Sequence, residues 1–98
     1  MTKNTRISRR SFVNKNFTMD NARKFYDEKR REFPQAKNCV LQVVPHGKSY
    51  EVVQLILDEN LEIIKLDSDL CVGRHLMAEN VADDVWQFLK GKEWQLLS

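Results

Sequence analysis

Apolar residues recur along the chain at two different spacings. Between Thr18 and Phe33 they fall at Ala22, Phe25, Tyr26 and Phe33, beside the apolar stem of Lys29. That three-to-four spacing lines one stripe of a helix. Thr18 suits the N-cap, because its hydroxyl can accept from a free amide in the first turn. Pro34 stops the helix by removing a donor and restricting the residue before it. Asp20–Lys24 and Asp27–Arg31 are i,i+4 pairs with the acid first, the favourable order. A second stripe, Val81, Val85, Phe88 and Leu89 with Trp86 at its edge, predicts another helix, capped by Asn80 and closed at Gly91.

Between the helices the spacing changes. Cys39–Val44 and Tyr50–Leu57 are runs of Val, Ile and Leu, separated by the turn segment Pro45-His46-Gly47-Lys48-Ser49. Glu62–Leu66 reads as a third strand after a turn at Glu59-Asn60. Alternation of side chains suggests a register. With Gln42 opposite Gln54 and Gln54 opposite Lys65, one face carries Cys39, Leu41, Val43, Val53, Leu55, Leu57, Ile64 and Leu66. That is the expected core face. The other carries Val40, Val44, Val52, Ile56 and Ile63 around a polar row of Gln42, Gln54 and Lys65. Leu70, Cys71 and Val72 fit either a short fourth strand or an apolar plug, broken by Gly73. The expected fold is α+β: α-β-β-β-α, a three-stranded antiparallel sheet with two helices packed on one face.

Length then bounds the organisation. Ninety-eight residues make one domain, since a second core would leave both too thin. Residues 1–16 lack a sustained period and read as a flexible basic arm, with a short docked strand near Ser11–Val13 as one option. Residues 17–98 form the domain. No apolar run approaches the roughly 20 residues of a membrane span. Basic residues open the chain without an apolar stretch after them, so no secretory signal is read there. Cys39 and Cys71 sit inside apolar segments, as buried thiols of a reducing compartment do, and the expected location is cytoplasmic.

Charge divides the chain more sharply than its net of +2 suggests. Residues 1–37 hold eleven basic side chains against four acidic ones, a net of +7. Residues 38–98 hold five against ten, a net of −5. Arg6, Arg9, Arg10 and Lys15 interleave with Phe12 and Phe17, and Arg23, Arg30 and Arg31 lie off the helical stripe. Cations beside aromatics suit phosphate contact with base stacking. The same division also suits a basic half packed on an acidic half.

No residue set converges on a reaction. Cys39, His46, Cys71 and His75 could supply two thiolates and two imidazoles to a metal. Their spacing is loose, and structural thiols with two ordinary histidines account for them. Cys71 with His75 could form a nucleophile and base, although Cys71 reads better as packing. Asp67-Ser68-Asp69 reads as the acidic boundary of a strand. His46-Gly47-Lys48 lacks the glycines of a phosphate loop. No catalytic residue, metal or cofactor is assigned.

The outer sheet face is the remaining feature. Five β-branched residues around a narrow polar row are too apolar for a wet face. The apolar Trp94–Leu97 tail must also dock somewhere. The sequence therefore points to a small non-catalytic protein-binding or regulatory module, acting through Val40, Gln42, Val44, Val52, Gln54, Ile56, Lys65 and Trp94. Its expected partner is a second copy in a homodimer, or another protein. The alternative is a nucleic-acid-binding accessory protein using the arm and first helix.

Overall fold

Thr18 starts the first helix as its chemistry requires. Its Oγ1 accepts from the Asn21 amide at 3.1 Å, and helix α1 runs Met19–Glu32 with Phe33 at its C-cap. The computed structural model describes residues 6–10 and 14–98, with side chains from residue 15 onward. Two strands precede α1, β1 (Arg6–Arg10) and β2 (Asn14–Phe17). After it come β3 (Asn38–His46), β4 (Ser49–Leu57), β5 (Leu70–Val81), helix α2 (Asp83–Leu89) and β6 (Trp94–Leu97).

These strands do not make a three-stranded antiparallel sheet. They make one mixed, curled half-barrel sheet in the order β1-β5-β4-β3-β6. β2 lies beside β5 as well, so β1 and β2 occupy successive stretches of one edge. Both run parallel to β5, whereas β5-β4, β4-β3 and β3-β6 pair antiparallel. Residues assigned to a basic arm thus supply two strands, while Ser11–Val13 lies outside the described residues.

The first turn is tighter than the sequence pattern implied. Pro45 and His46 remain in β3, and His46 pairs with Ser49 across the two-residue loop Gly47-Lys48. Gly47 takes φ +64°, which a type II′ hairpin demands of its first central residue. Leu41, not Gln42, therefore faces Gln54. That one-residue slip turns all of β4 over. Val52, Gln54 and Ile56 are each fully buried, whereas Val53 and Leu55 point outward.

The second turn is one residue longer than implied. Asp58 accepts from the Leu61 amide, and its own amide donates to the Glu62 carbonyl. Ile64 consequently bonds to Ile56, returning Ile64 to the core and Lys65 to the outside. The two offsets cancel beyond β4. Glu62–Leu66 is not a strand of the sheet either. It wedges between the end of β4 and the start of β5, held by single bridges Leu57–Ile63 and Lys65–Cys71. The third long strand is β5, continuous through Gly73. A Cβ there would stand 2.2 Å from the Gln54 carbonyl oxygen, so only glycine lets β4 approach.

β5 persists to Val81 because Asn80 and Val81 pair with Asn16 and Phe17. α2 therefore starts at Asp83 with Ala82 as N-cap, not Asn80, and Lys90 rather than Gly91 takes the left-handed C-cap. Phe25 and Tyr26 of α1, Val85 and Leu89 of α2, and Leu97 of β6 join Leu41, Val52, Ile56 and Leu76 in one core. Both helices thus bury their stripes against the same sheet face. Among the described residues, no helix is long and apolar enough to cross a membrane.

Candidate protein-binding surface

The register fixes the outer face row by row. Leu96, Val40 and Leu55 lie side by side, with Gly73 beyond them. Trp94, Gln42, Val53 and His75 form the next row, and Val44, Glu51 and Met77 the third. Apart from buried Gly73 and exposed Trp94, all are half-exposed. Neither helix covers them, because α1 and α2 pack on the opposite side. Trp94 leaves 52 % of its surface in solvent, a large exposure for an indole. Its polar residues are Gln42, Lys65 and the pair His75–Glu51, with His75 Nε2 3.2 Å from Glu51 Oε2. Five strands at about 4.8 Å and nine residues at about 3.3 Å give a face of roughly 700 Å² at most. A standard interface takes about 800 Å² from each partner.

Residues expected on this face divide. Val40, Gln42, Val44, Lys65 and Trp94 are there. Val52, Gln54 and Ile56 are in the core instead, because β4 is inverted. Sequence reasoning placed Val53 and Leu55 on the wrong face and left out Glu51, His75, Met77 and Leu96. One signal would have found the β4 residues. Glycine after a strand-ending His, read as a two-residue hairpin, fixes the register.

The opposite face contains a polar latch. Gln54 Nε2 donates to the Ala22 carbonyl at 3.1 Å, tying α1 to β4. Its Oε1 accepts from Arg74 Nε at 2.7 Å, and Arg74 Nη2 donates to the Asn21 carbonyl at 3.1 Å. The guanidinium lies 4.5 Å from the Phe25 ring centre and 5.8 Å from that of Phe17. This places a charge at the core margin with aromatic faces and acceptors around it. A shallow cavity of about 150 Å³ opens beside it, lined by Asn21, Lys24, Phe25, Glu28 and Arg74.

The candidate chemistry does not assemble. Cys39 is fully buried, and burial pushes its thiol up to about 12, against a smaller opposing pull from the Gln54 hydrogen bond. Cys71 is buried on β5, four residues from His75, so strand geometry separates them by about 13 Å. His46 is exposed at the hairpin. Among the described residues, no group of three His, Cys, Asp or Glu side chains could hold a metal ion. Asp67 Oδ1 accepts from the Asp69 and Leu70 amides, which makes it a turn residue.

The basic candidates are spread over two elements. Arg6, Arg9 and Arg10 lie on β1, with side chains outside the described residues. Lys15, Arg23, Arg30 and Arg31 are exposed. Arg30 pairs with Asp27 at 3.2 Å and stacks on Tyr26, and Lys24 pairs with Asp20 at 3.3 Å. The solvent side of α1 is thus mixed in sign. Comparison with family models, curated proteins and solved structures gives no match.

Proposed function

We propose that this chain is a non-catalytic protein-binding module that works as a homodimer, its outer sheet face a surface for partners and its C-terminal strand a contact between copies. One observation carries the reading. Val40, Val44, Val53, Leu55, Met77 and Leu96 stand half-exposed on a sheet face that neither helix covers. A wet sheet face alternates toward polar residues, and this one does not. Leu96 belongs to both the outer face and β6, so it sits where the two surfaces meet.

Sedimentation of the full chain, from low micromolar to millimolar concentration, tests this. A reversible monomer–dimer equilibrium is expected, and Leu96→Glu should shift it to monomer while far-UV circular dichroism stays unchanged. Wild-type protein that remains monomeric throughout the range overturns the dimer.

A further inference from the structure

The two edges of the sheet differ in chemistry. The β1–β2 edge carries Arg6, Arg9, Arg10 and Lys15 in sequence, the charges that natural sheets use to repel strand addition. The β6 edge reads Trp94-Gln95-Leu96-Leu97, with no charge and no proline. It pairs with β3 on one side. An uncharged apolar edge invites another strand.

Hydrogen-bond parity says which backbone groups such a strand would meet. Val43 N donates to the Glu93 carbonyl at 3.0 Å, so that pair is a bonded one. Bonded and non-bonded pairs alternate along an antiparallel ladder. Gln95, opposite Leu41, and Leu97, opposite Cys39, therefore point their N–H and C=O groups toward β3. Trp94 and Leu96 point theirs outward from the edge.

We infer that β6 pairs antiparallel with β6 of a second copy about a two-fold axis at Gln95, joining the two half-barrels into one continuous sheet. This specifies how the homodimer proposed above assembles. The register follows from parity, since each partner must offer outward groups. Trp94 then meets the partner copy's Leu96 and Leu96 its Trp94, each pair exchanging two N–H···O=C bonds. The same pairing sets each indole beside a leucine on the outer face, covering part of the exposed Trp94 ring. Like edges close under two-fold symmetry, whereas β6 against the basic β1 edge would propagate as a filament. The short strand puts the contact at the small end of the interface range, so the dimer is reversible. Val53, Leu55 and Met77 stay uncovered, leaving two outer faces side by side for a partner protein.

Amide hydrogen exchange on the full chain, read residue by residue at low and high concentration, tests the pairing. At low concentration Gln95 and Leu97 amides should be protected, with Trp94 and Leu96 exchanging freely. At high concentration Trp94 and Leu96 should become protected too. Leu96→Pro removes an outward N–H and leaves the bonds to β3 in place, as edge strands tolerate. It should weaken association by roughly tenfold or more, with Gln95 protection reporting that β6 still forms. Val53→Glu, two strands from the edge, should leave the dimer intact. A dimer in which Trp94 and Leu96 amides exchange freely at every concentration, or which Val53→Glu dissolves, overturns edge pairing while the dimer itself stands. Open-ended oligomers overturn the two-fold arrangement, and a strict monomer overturns both readings.

Discussion

Gln54 is the residue whose environment departs furthest from its type. An amide with no exposed surface survives in a core only when its groups are matched, and those of Gln54 meet the Ala22 carbonyl and Arg74. Gln54→Leu leaves Arg74 Nε facing a methyl group, and should cost about 1–3 kcal/mol in urea unfolding. Arg74→Met alone strands the Gln54 oxygen and should cost a similar amount. The double variant removes both partners, so its loss should fall short of the sum of the singles. An additive result would mean that the two side chains act separately. Cys39, whose Sγ lies 3.6 Å from Gln54 Nε2, sets an alkaline limit. Its folded pKa stands above the ordinary 9.0, at about 12. The unfolded thiol therefore ionises first, so this contribution to stability is full below pH 9 and is lost as pH rises toward 12. Tyr26, also raised by burial, acts in the same direction. Denaturant midpoints measured from pH 8 upward should fall, and less steeply in Cys39→Ala. The burial of Cys39 was legible, since it lies on the expected core face; the latch was not, because Gln54 is unusual only through the face it occupies, and one turn residue decides that face.

The helices were legible as elements because their signals are local. The period of α1, its Thr18 cap and the Pro34 stop all act within a few residues, and each appears in place. Thr18→Ala removes the acceptor for the Asn21 amide and should lower stability by about 1 kcal/mol. For a domain near this length that is about 4–8 °C in Tm by calorimetry. The strands were less legible because their pairing is non-local. Val, Ile and Leu runs marked β3 and β4, but two turns each misjudged by one residue inverted β4 alone. β5 does not read as a long strand because Gly73, Arg74, His75, Glu79 and Asn80 interrupt its apolar pattern. Those residues are explained only by neighbours far along the chain: the close approach of β4 at Gly73, Gln54 for Arg74, Glu51 for His75. β1 and β2 carry no apolar alternation, and their pairing with β5 was equally invisible. The outer face was partly legible for the same reason. Its β3 and β6 residues follow from local runs, and its β4 residues require the register.

At the scale of the molecule, both helices cover one face of the sheet, and among the described residues the other face stays half-exposed. The homodimer proposed above couples stability to concentration. A dimer of folded protomers binds the native state and not the unfolded one, so mass action raises the unfolding free energy as concentration rises. Once most chains are paired, each tenfold increase adds about 1.4 kcal/mol per dimer, or about 0.7 kcal/mol per chain. With an unfolding entropy typical of this length, Tm should climb by about 3–5 °C per decade of concentration. A monomer shows no such slope. The slope should vanish in Leu96→Glu, with the melting curve of that variant overlying the dilute limit of the wild type. It should persist in Thr18→Ala, displaced downward, because the cap lies in α1 on the helix side of the sheet. Calorimetry over two decades of concentration therefore separates loss of pairing from loss of fold. A concentration-independent Tm for the wild type would remove the homodimer, leaving a single protomer to offer its outer face to a partner of different sequence.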